Sequence, residues 1–126
     1  MVKIIGTPSN NTLKGQSTAD DIYGKGGNDK LFGYGGNDDL EGGSGNDWLQ
    51  GGTGNDELTG GSGRDTFVFS AGRDEIDDFS ARADKIIIDS ALGVKSFADL
   101  KAIAKSVDGG EDLRFDFGNG NTLTLE

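Results

Sequence analysis

One apolar residue recurs at every ninth position through the first half of the chain: Leu13, Ile22, Leu31, Leu40, Leu49, Leu58 and Phe67. Its neighbours are mostly polar, as in Asp39-Leu40-Glu41 and Glu57-Leu58-Thr59. Side chains alternate between the two faces of an extended strand. Each triplet therefore predicts a short strand whose middle residue points inward. The residues between triplets are rich in Gly, Asn and Asp, which predicts a turn. One such unit cannot bury its apolar residue alone, and a constant period stacks many of them into a solenoid. Two repeats then make one coil. Odd-numbered repeats stack into one parallel sheet and even-numbered repeats into the facing sheet. The expected core is two columns, Leu13, Leu31, Leu49 and Phe67 against Ile22, Leu40 and Leu58.

The repeats start at Gly6, Gly15, Gly24, Gly33, Gly42, Gly51 and Gly60, with GGSGNDWLQ (Gly42 to Gln50) among the clearest copies. Position 1 is Gly throughout, and position 4 is Gly from Gly27 onward. Glycine at both places is expected to supply the positive φ of a tight turn, and Asn at position 5 to tolerate the left-handed region. Position 6 is Asn11, then Asp20, Asp29, Asp38, Asp47, Asp56 and Asp65. Turns on the same side lie about 4.8 Å apart, the spacing of strands in a sheet. The position-6 carboxylates therefore line up in columns and repel one another by several kcal/mol where water is partly excluded. Cations or protons must relieve that repulsion. Two carboxylates and several turn carbonyls make a cage of about six or seven oxygens, which suits Ca2+ at roughly 2.3–2.6 Å.

Composition narrows the choice of ion. The chain has 126 residues, enough for one domain, with only 33% apolar residues and 23 glycines, so an ordinary layered globule would be marginal. A net charge of −10 makes nucleic acid and anionic membranes poor partners and cations good ones. With no Cys and no His, thiolate and imidazole ligands are missing, and so is the commonest general base. Hard, oxygen-seeking Ca2+ remains. No stretch is long and apolar enough to span a membrane, and Met1 to Ile5 is too short for a signal peptide. No carboxylate pair stands apart from the repeat as a catalytic pair would, so no enzymatic activity is expected.

These nonapeptides resemble the RTX (repeats-in-toxin) family, and Phe67 to Asp89 resembles the capping region of RTX C-terminal domains. The resemblance implies a right-handed, calcium-binding parallel β-roll. It also implies a module carried by a larger, secreted, extracellular bacterial protein that leaves through the type I secretion machinery. In the family one ion sits between same-side turns. It is held by the carbonyls of positions 2 and 4 and the Asp of one turn, with the carbonyls of positions 1 and 3 and the Asp of the next. Carried over, Lys25, Gly27 and Asp29 meet Gly42, Ser44 and Asp47; Tyr34, Gly36 and Asp38 meet Gly51, Thr53 and Asp56. Likewise Gly43, Gly45 and Asp47 meet Gly60, Ser62 and Asp65. Gly52, Gly54 and Asp56 meet Phe69, Ala71 and Asp74 of a degenerate eighth repeat, Phe69 to Asp77. Gln16, Thr18 and Asp20 with Gly33, Gly35 and Asp38 complete about five Ca2+ sites. Asn11 lacks a charge, so a site it shares with Asp29 should be weak.

The division expected is a roll over residues 1–77 and a cap over 78–126. Within the cap, Lys85 to Asp89 reads as a closing strand. Ser96 to Val107 reads as a helix with Ser96 as N-cap and Phe97, Leu100, Ile103, Ala104 and Val107 on one face. Leu113 to Leu125 reads as a β-hairpin around Gly118-Asn119-Gly120. The stop at Glu126, directly after a strand, suggests an artificial boundary. On the outer face of the odd sheet Phe32, Trp48 and Val68 could touch on adjacent rungs as a glycan or protein contact, unless the cap covers them. A carbohydrate-binding accessory like the modules of alginate epimerases is thus an alternative function, with Lys14 and Lys30 as thin support for a polyanionic ligand. An adhesin or ice-binding solenoid is a further alternative, but position 3 (Pro8, Ser17, Gly26, Gly35, Ser44, Thr53, Ser62) carries no threonine ladder.

Overall fold

A computed structural model describes residues 2–79, 83–88, 104–107, 112–118 and 120–125. Among these the chain is all-β, with thirteen strands and no helix. The strands are β1 (Val2–Ile5), β2 (Thr12–Lys14), β3 (Asp20–Tyr23), β4 (Lys30–Phe32), β5 (Asp39–Glu41), β6 (Trp48–Gln50) and β7 (Glu57–Thr59). There follow β8 (Thr66–Phe69), β9 (Arg73–Ile76), β10 (Lys85–Ile88), β11 (Ala104–Val107), β12 (Asp112–Gly118) and β13 (Asn121–Leu125). Each complete repeat contributes the three residues around its apolar position, as the alternation requires.

Odd repeats supply β2, β4, β6 and β8 and even repeats β3, β5, β7 and β9, in two separate sheets of parallel neighbours. Partners lie eighteen residues apart, Leu31 opposite Leu49 and Leu40 opposite Leu58. The fold is a parallel β-solenoid. Its two apolar columns are closed to solvent beyond the half-buried Leu13: Ile22, Leu31, Leu40 and Leu49 are 0% exposed. Each such side chain contributes roughly 1.5–3 kcal/mol of burial, which gives these short strands the core their length denies them. β1 extends the even column, with Ile4 opposite Ile22.

The C-terminal strands continue both sheets. β10 pairs parallel with β8 and sets Ile86 opposite Phe67; β13 pairs parallel with β9 and sets Leu125 opposite Ile76. The predicted hairpin is present as β12–β13, with Gly120 at φ 81 in its turn. Phe115 and Leu123 are buried with the columns, and Phe117 packs on Phe69 at 5.0 Å between ring centroids.

The expected helix is not supported. Ala104–Val107, its last turn, is strand β11, antiparallel to β12 with Ala104 opposite Phe115; residues 96–103 lie outside those described, as does Asp89. Without β11 the edge of β12 would expose a row of unpaired backbone groups. That pairing outweighs a helical preference worth only tenths of a kcal/mol per residue.

Candidate metal centre

The turns stack as closely as the strands, and their carboxylates do two different jobs. One oxygen of each position-6 Asp accepts the backbone N–H one coil earlier. Asp29 N donates to Asp47 Oδ1 at 2.8 Å, Asp38 N to Asp56 Oδ1 at 2.9 Å, Asp47 N to Asp65 Oδ1 at 2.9 Å and Asp56 N to Asp74 Oδ1 at 3.0 Å. The other oxygen, Oδ2 of Asp29, Asp38, Asp47, Asp56, Asp65 and Asp74, is buried with no hydrogen-bond partner. An orphaned carboxylate oxygen away from water is costly. Six in two columns mark places where a cation belongs.

Three of the orphaned oxygens, those of Asp29, Asp38 and Asp47, lie beside backbone carbonyls. Asp29 Oδ2 and the Gly42 carbonyl oxygen each lie 2.6 Å from the point where a Cβ on Gly24 would stand. The same arrangement brings Asp20 to Gly33, Asp38 to Gly51 and Asp47 to Gly60. Carboxylate and position-1 carbonyl of consecutive same-side turns thus lie beside the same glycine. The donor set is hard oxygen only and fits Ca2+. No three carboxylates converge by themselves among the described residues, so carbonyls must complete any cage. Those of Lys25 and Tyr34 already accept Ser44 N and Thr53 N at 2.9 and 2.8 Å, and that of Gln16 accepts Gly35 N at 3.3 Å. Those of Lys25 and Gln16 keep a second lone pair for a cation, whereas that of Tyr34 also accepts Thr53 Oγ1 at 3.3 Å.

The first turn of each column differs. Asp20 Oδ2 accepts Gln16 N at 2.6 Å, and Asn11 Oδ1 accepts Thr7 N at 2.7 Å. Later turns carry positive φ at position 2, at Lys25, Tyr34, Gly43, Gly52 and Gly61. Thr7 and Gln16 do not, so their N–H groups close onto the position-6 side chain instead.

Two sequence expectations about the turn are corrected. Positive φ falls at positions 2 and 4, for instance Gly43 at 92° and Gly45 at 104°, and not at position 1. Position 1 is glycine because a side chain there would displace the carboxylate and the carbonyl. Asn at position 5 has no positive φ either. It builds a second ladder, running the opposite way: Asn46 N donates to Asn28 Oδ1, Arg64 N to Asn46 Oδ1 and Asn55 N to Asn37 Oδ1, each at 2.8 Å.

Burial pushes the column carboxylates up, Asp38 and Asp47 to about 6, Asp56 and Asp65 to about 7 and Asp74 to about 8. The neighbouring carboxylate of the column adds to the rise, and the backbone N–H donors oppose it. Two acids outside the repeat enter the same architecture and were missed in the sequence. Asp84 Oδ1 accepts Asp65 N at 2.9 Å, and the Asp78 carboxylate accepts Gly60 N at 2.9 Å and Gly61 N at 2.6 Å. A slip of one residue, nineteen instead of eighteen, hid Asp84.

On the odd outer face, Phe32, Trp48 and Val68 do not form one row. Phe32 and Val68 share a column with Gln50 between them, and Trp48 stands between Lys30 and Thr66 in the other column. Phe32 instead stacks on Tyr34, 6.1 Å between centroids.

The sequence profile of the RTX calcium-binding nonapeptide repeat matches residues 3–31, 15–49 and 41–76. The chain belongs to this family, whose repeats bind calcium. Among solved structures it is similar to the R3 subunit of a mannuronan C5-epimerase from Azotobacter vinelandii (29% identity, TM-score 0.40, covering 96% of this chain and 72% of that one). The R2 subunit of that enzyme is similar too (32% identity, TM-score 0.38, covering 97% and 82%). An extracellular lipase from Serratia marcescens shares the fold at 17% identity and TM-score 0.51; the match covers 98% of this chain and 37% of the lipase. No curated protein sequence matches the chain significantly.

Proposed function

We propose that the chain is a calcium-responsive folding module, non-catalytic itself, of a larger protein exported by type I secretion and active outside the cell. The observation that carries this reading is the six buried carboxylate oxygens without a partner, three in each column. At low calcium the columns repel and oppose folding. At millimolar calcium each ion joins two turns through Asp29, Asp38, Asp47, Asp56, Asp65 and Asp74 and the turn carbonyls beside them, so binding free energy becomes folding free energy. About five divalent ions would offset the formal charge of −10. Residues 1–77 form the binding roll and 78–126 close its end.

Circular dichroism during a calcium titration tests this. Chelator should leave little β signal, and millimolar Ca2+ should restore it cooperatively, whereas Mg2+, which demands short octahedral geometry, should substitute poorly. Asp56→Asn should raise the calcium midpoint more than Asp20→Asn, because Asp20 Oδ2 already has a backbone donor. Equal folding in chelator sinks the reading.

A second reading, a carbohydrate contact on the odd face, has one observation in its favour. Tyr34 is 50% exposed, stacks on Phe32 and borders a cleft of about 230 Å3 with Gln50, Thr53 and Ser70. Flat aromatic surface beside hydrogen-bonding side chains suits a sugar ring. Affinity electrophoresis of the calcium-loaded chain in alginate or neutral glucan gels should show retardation that Tyr34→Gly removes. Unretarded migration of the wild-type chain in every gel ends this reading.

A further inference from the structure

We infer that the odd column carries one more cation site beyond the repeats, closed by Asp84 and linked to the docking of β10. The inference rests on the calcium-binding reading above and concerns residues that the repeat motif does not include. Three observations meet at the Gly60–Gly61 turn. Asp65 is 1% exposed, and its Oδ2 is orphaned although Asp65 belongs to the last complete repeat. That oxygen lies against Gly60, where Oδ2 of Asp29 and Asp47 lie against Gly24 and Gly42. Asp84 then takes the place of the next position-6 Asp: Asp65 N donates to its Oδ1 at 2.9 Å, as Asp47 N does to Asp65 Oδ1 at 2.9 Å. The ladder rule of the repeat is kept across a segment whose sequence has lost the repeat.

The third observation is local. In the earlier odd turns the position-1 N–H donates to a backbone carbonyl, Gly24 N to Glu41 O and Gly42 N to Thr59 O, both at 2.8 Å. At Gly60 the acceptor is the Asp78 carboxylate, which also takes Gly61 N. Asp78 thus holds the turn in place where the next repeat would have supplied a carbonyl. Its two oxygens are engaged by these donors, so Asp78 is a positioning residue. The ligands are Asp65 and Asp84, with the carbonyls of Gly61 and Gly63, the position-2 and position-4 residues of the Asp65 turn. Side chains alone do not complete a cage here, as they do not elsewhere in the columns. Among the described residues the even column has no such continuation, since the residue opposite Asp74 on the next strand is Leu123.

Asp84 immediately precedes β10, whose Ile86 stands opposite Phe67 at the end of the odd apolar column. A cation between Asp65 and Asp84 therefore fastens the strand that covers that end. Calcium would act there as a latch, and its loss would free β10 while the inner coils stay metal-bound.

The full chain tests this with two readouts. Asp84→Asn keeps the oxygen that accepts Asp65 N and removes the charge. Calcium bound per chain, counted by equilibrium dialysis with radioactive Ca2+, should fall by one ion relative to wild type. Glu41→Gln, the same charge change on the exposed outer face, should leave the count unchanged. At saturating calcium the amides of Ile86, Ile87 and Ile88 should exchange with solvent about tenfold faster or more in Asp84→Asn, those of β4 and β6 at the wild-type rate. A variant that keeps the wild-type count, or loses every ion, overturns the proposal, and so does unchanged exchange in β10. Failure of the wild-type chain to bind any calcium would instead overturn the underlying reading and this inference with it.

Discussion

A methyl group on Gly42 would stand 2.5 Å from Asp47 Oδ2 and 2.7 Å from the Gly60 carbonyl oxygen, two atoms a cation would share. At Gly26 the nearest atom to the same methyl is the Cα of Pro8 at 3.4 Å, ordinary contact. Gly42→Ala should therefore remove about 2–3 kcal/mol of stability, the size of a serious overpacking error, and weaken calcium binding as well. Gly26→Ala should leave both near wild type. Thermal unfolding at fixed calcium separates them, and equal melting points would refute the steric role of position 1. The nine-residue rhythm and the position-6 acids were legible in the sequence because both are set by residue type. The reason for each glycine was not. Gly serves equally where φ must be positive and where no Cβ fits, and the letters do not distinguish the two. Asn at position 5 hid its ladder in the same way, since Asn28 and Asn46 meet only once eighteen residues of coil bring them together.

Among elements, the strands of the nine-residue repeats and their division between two sheets followed directly from alternation and period. The electrostatics of the stacked turns followed only in outline. Burial pushes Asp47 up to about 6, Asp56 to about 7 and Asp74 to about 8 in the metal-free column. In the unfolded chain these carboxylates titrate near 3.9. Because the folded values are the higher ones, the stabilisation from bound protons is fully present below about pH 4. It is lost as pH rises through roughly 6 to 8. In chelator, acidifying the chain from pH 8 to pH 5 should thus raise its β content, protons standing in for calcium. With calcium the dependence reverses, because the ligands must be deprotonated, and the calcium midpoint should rise as pH falls. Circular dichroism over that range with and without chelator checks both arms. A metal-free chain that is equally unstructured at pH 5 and pH 8 would show that the columns do not govern folding.

For the whole molecule the question is what closes the open end of the solenoid. The alternation of Leu113, Phe115, Phe117, Leu123 and Leu125 marked a hairpin in the sequence. The pairing of β13 beside β9, Thr122 opposite Arg73, joins residues far apart in the chain and carries β12 with it as the edge on which β11 pairs, so helical periodicity around Leu100 and Val107 gave the wrong element for Ala104–Val107. The closing strands sit where the columns end. Phe67 and Ile76 are 1% and 0% exposed, with Ile86 and Leu125 opposite them and Phe79 and Phe117 packed alongside. Removing this block would expose several large apolar side chains, each worth roughly 1.5–3 kcal/mol. It would also open the last edge of both sheets. That loss is comparable with the whole stability of an ordinary small domain, about 5–15 kcal/mol. A fragment of residues 1–77 should therefore stay unfolded in millimolar calcium, or fold only at much higher concentration with a lower melting point. If it instead reproduces the calcium midpoint and heat resistance of the full chain, residues 78–126 contribute nothing to closing the roll, and the packing of Ile86 and Leu125 at Phe67 and Ile76 must serve some other contact.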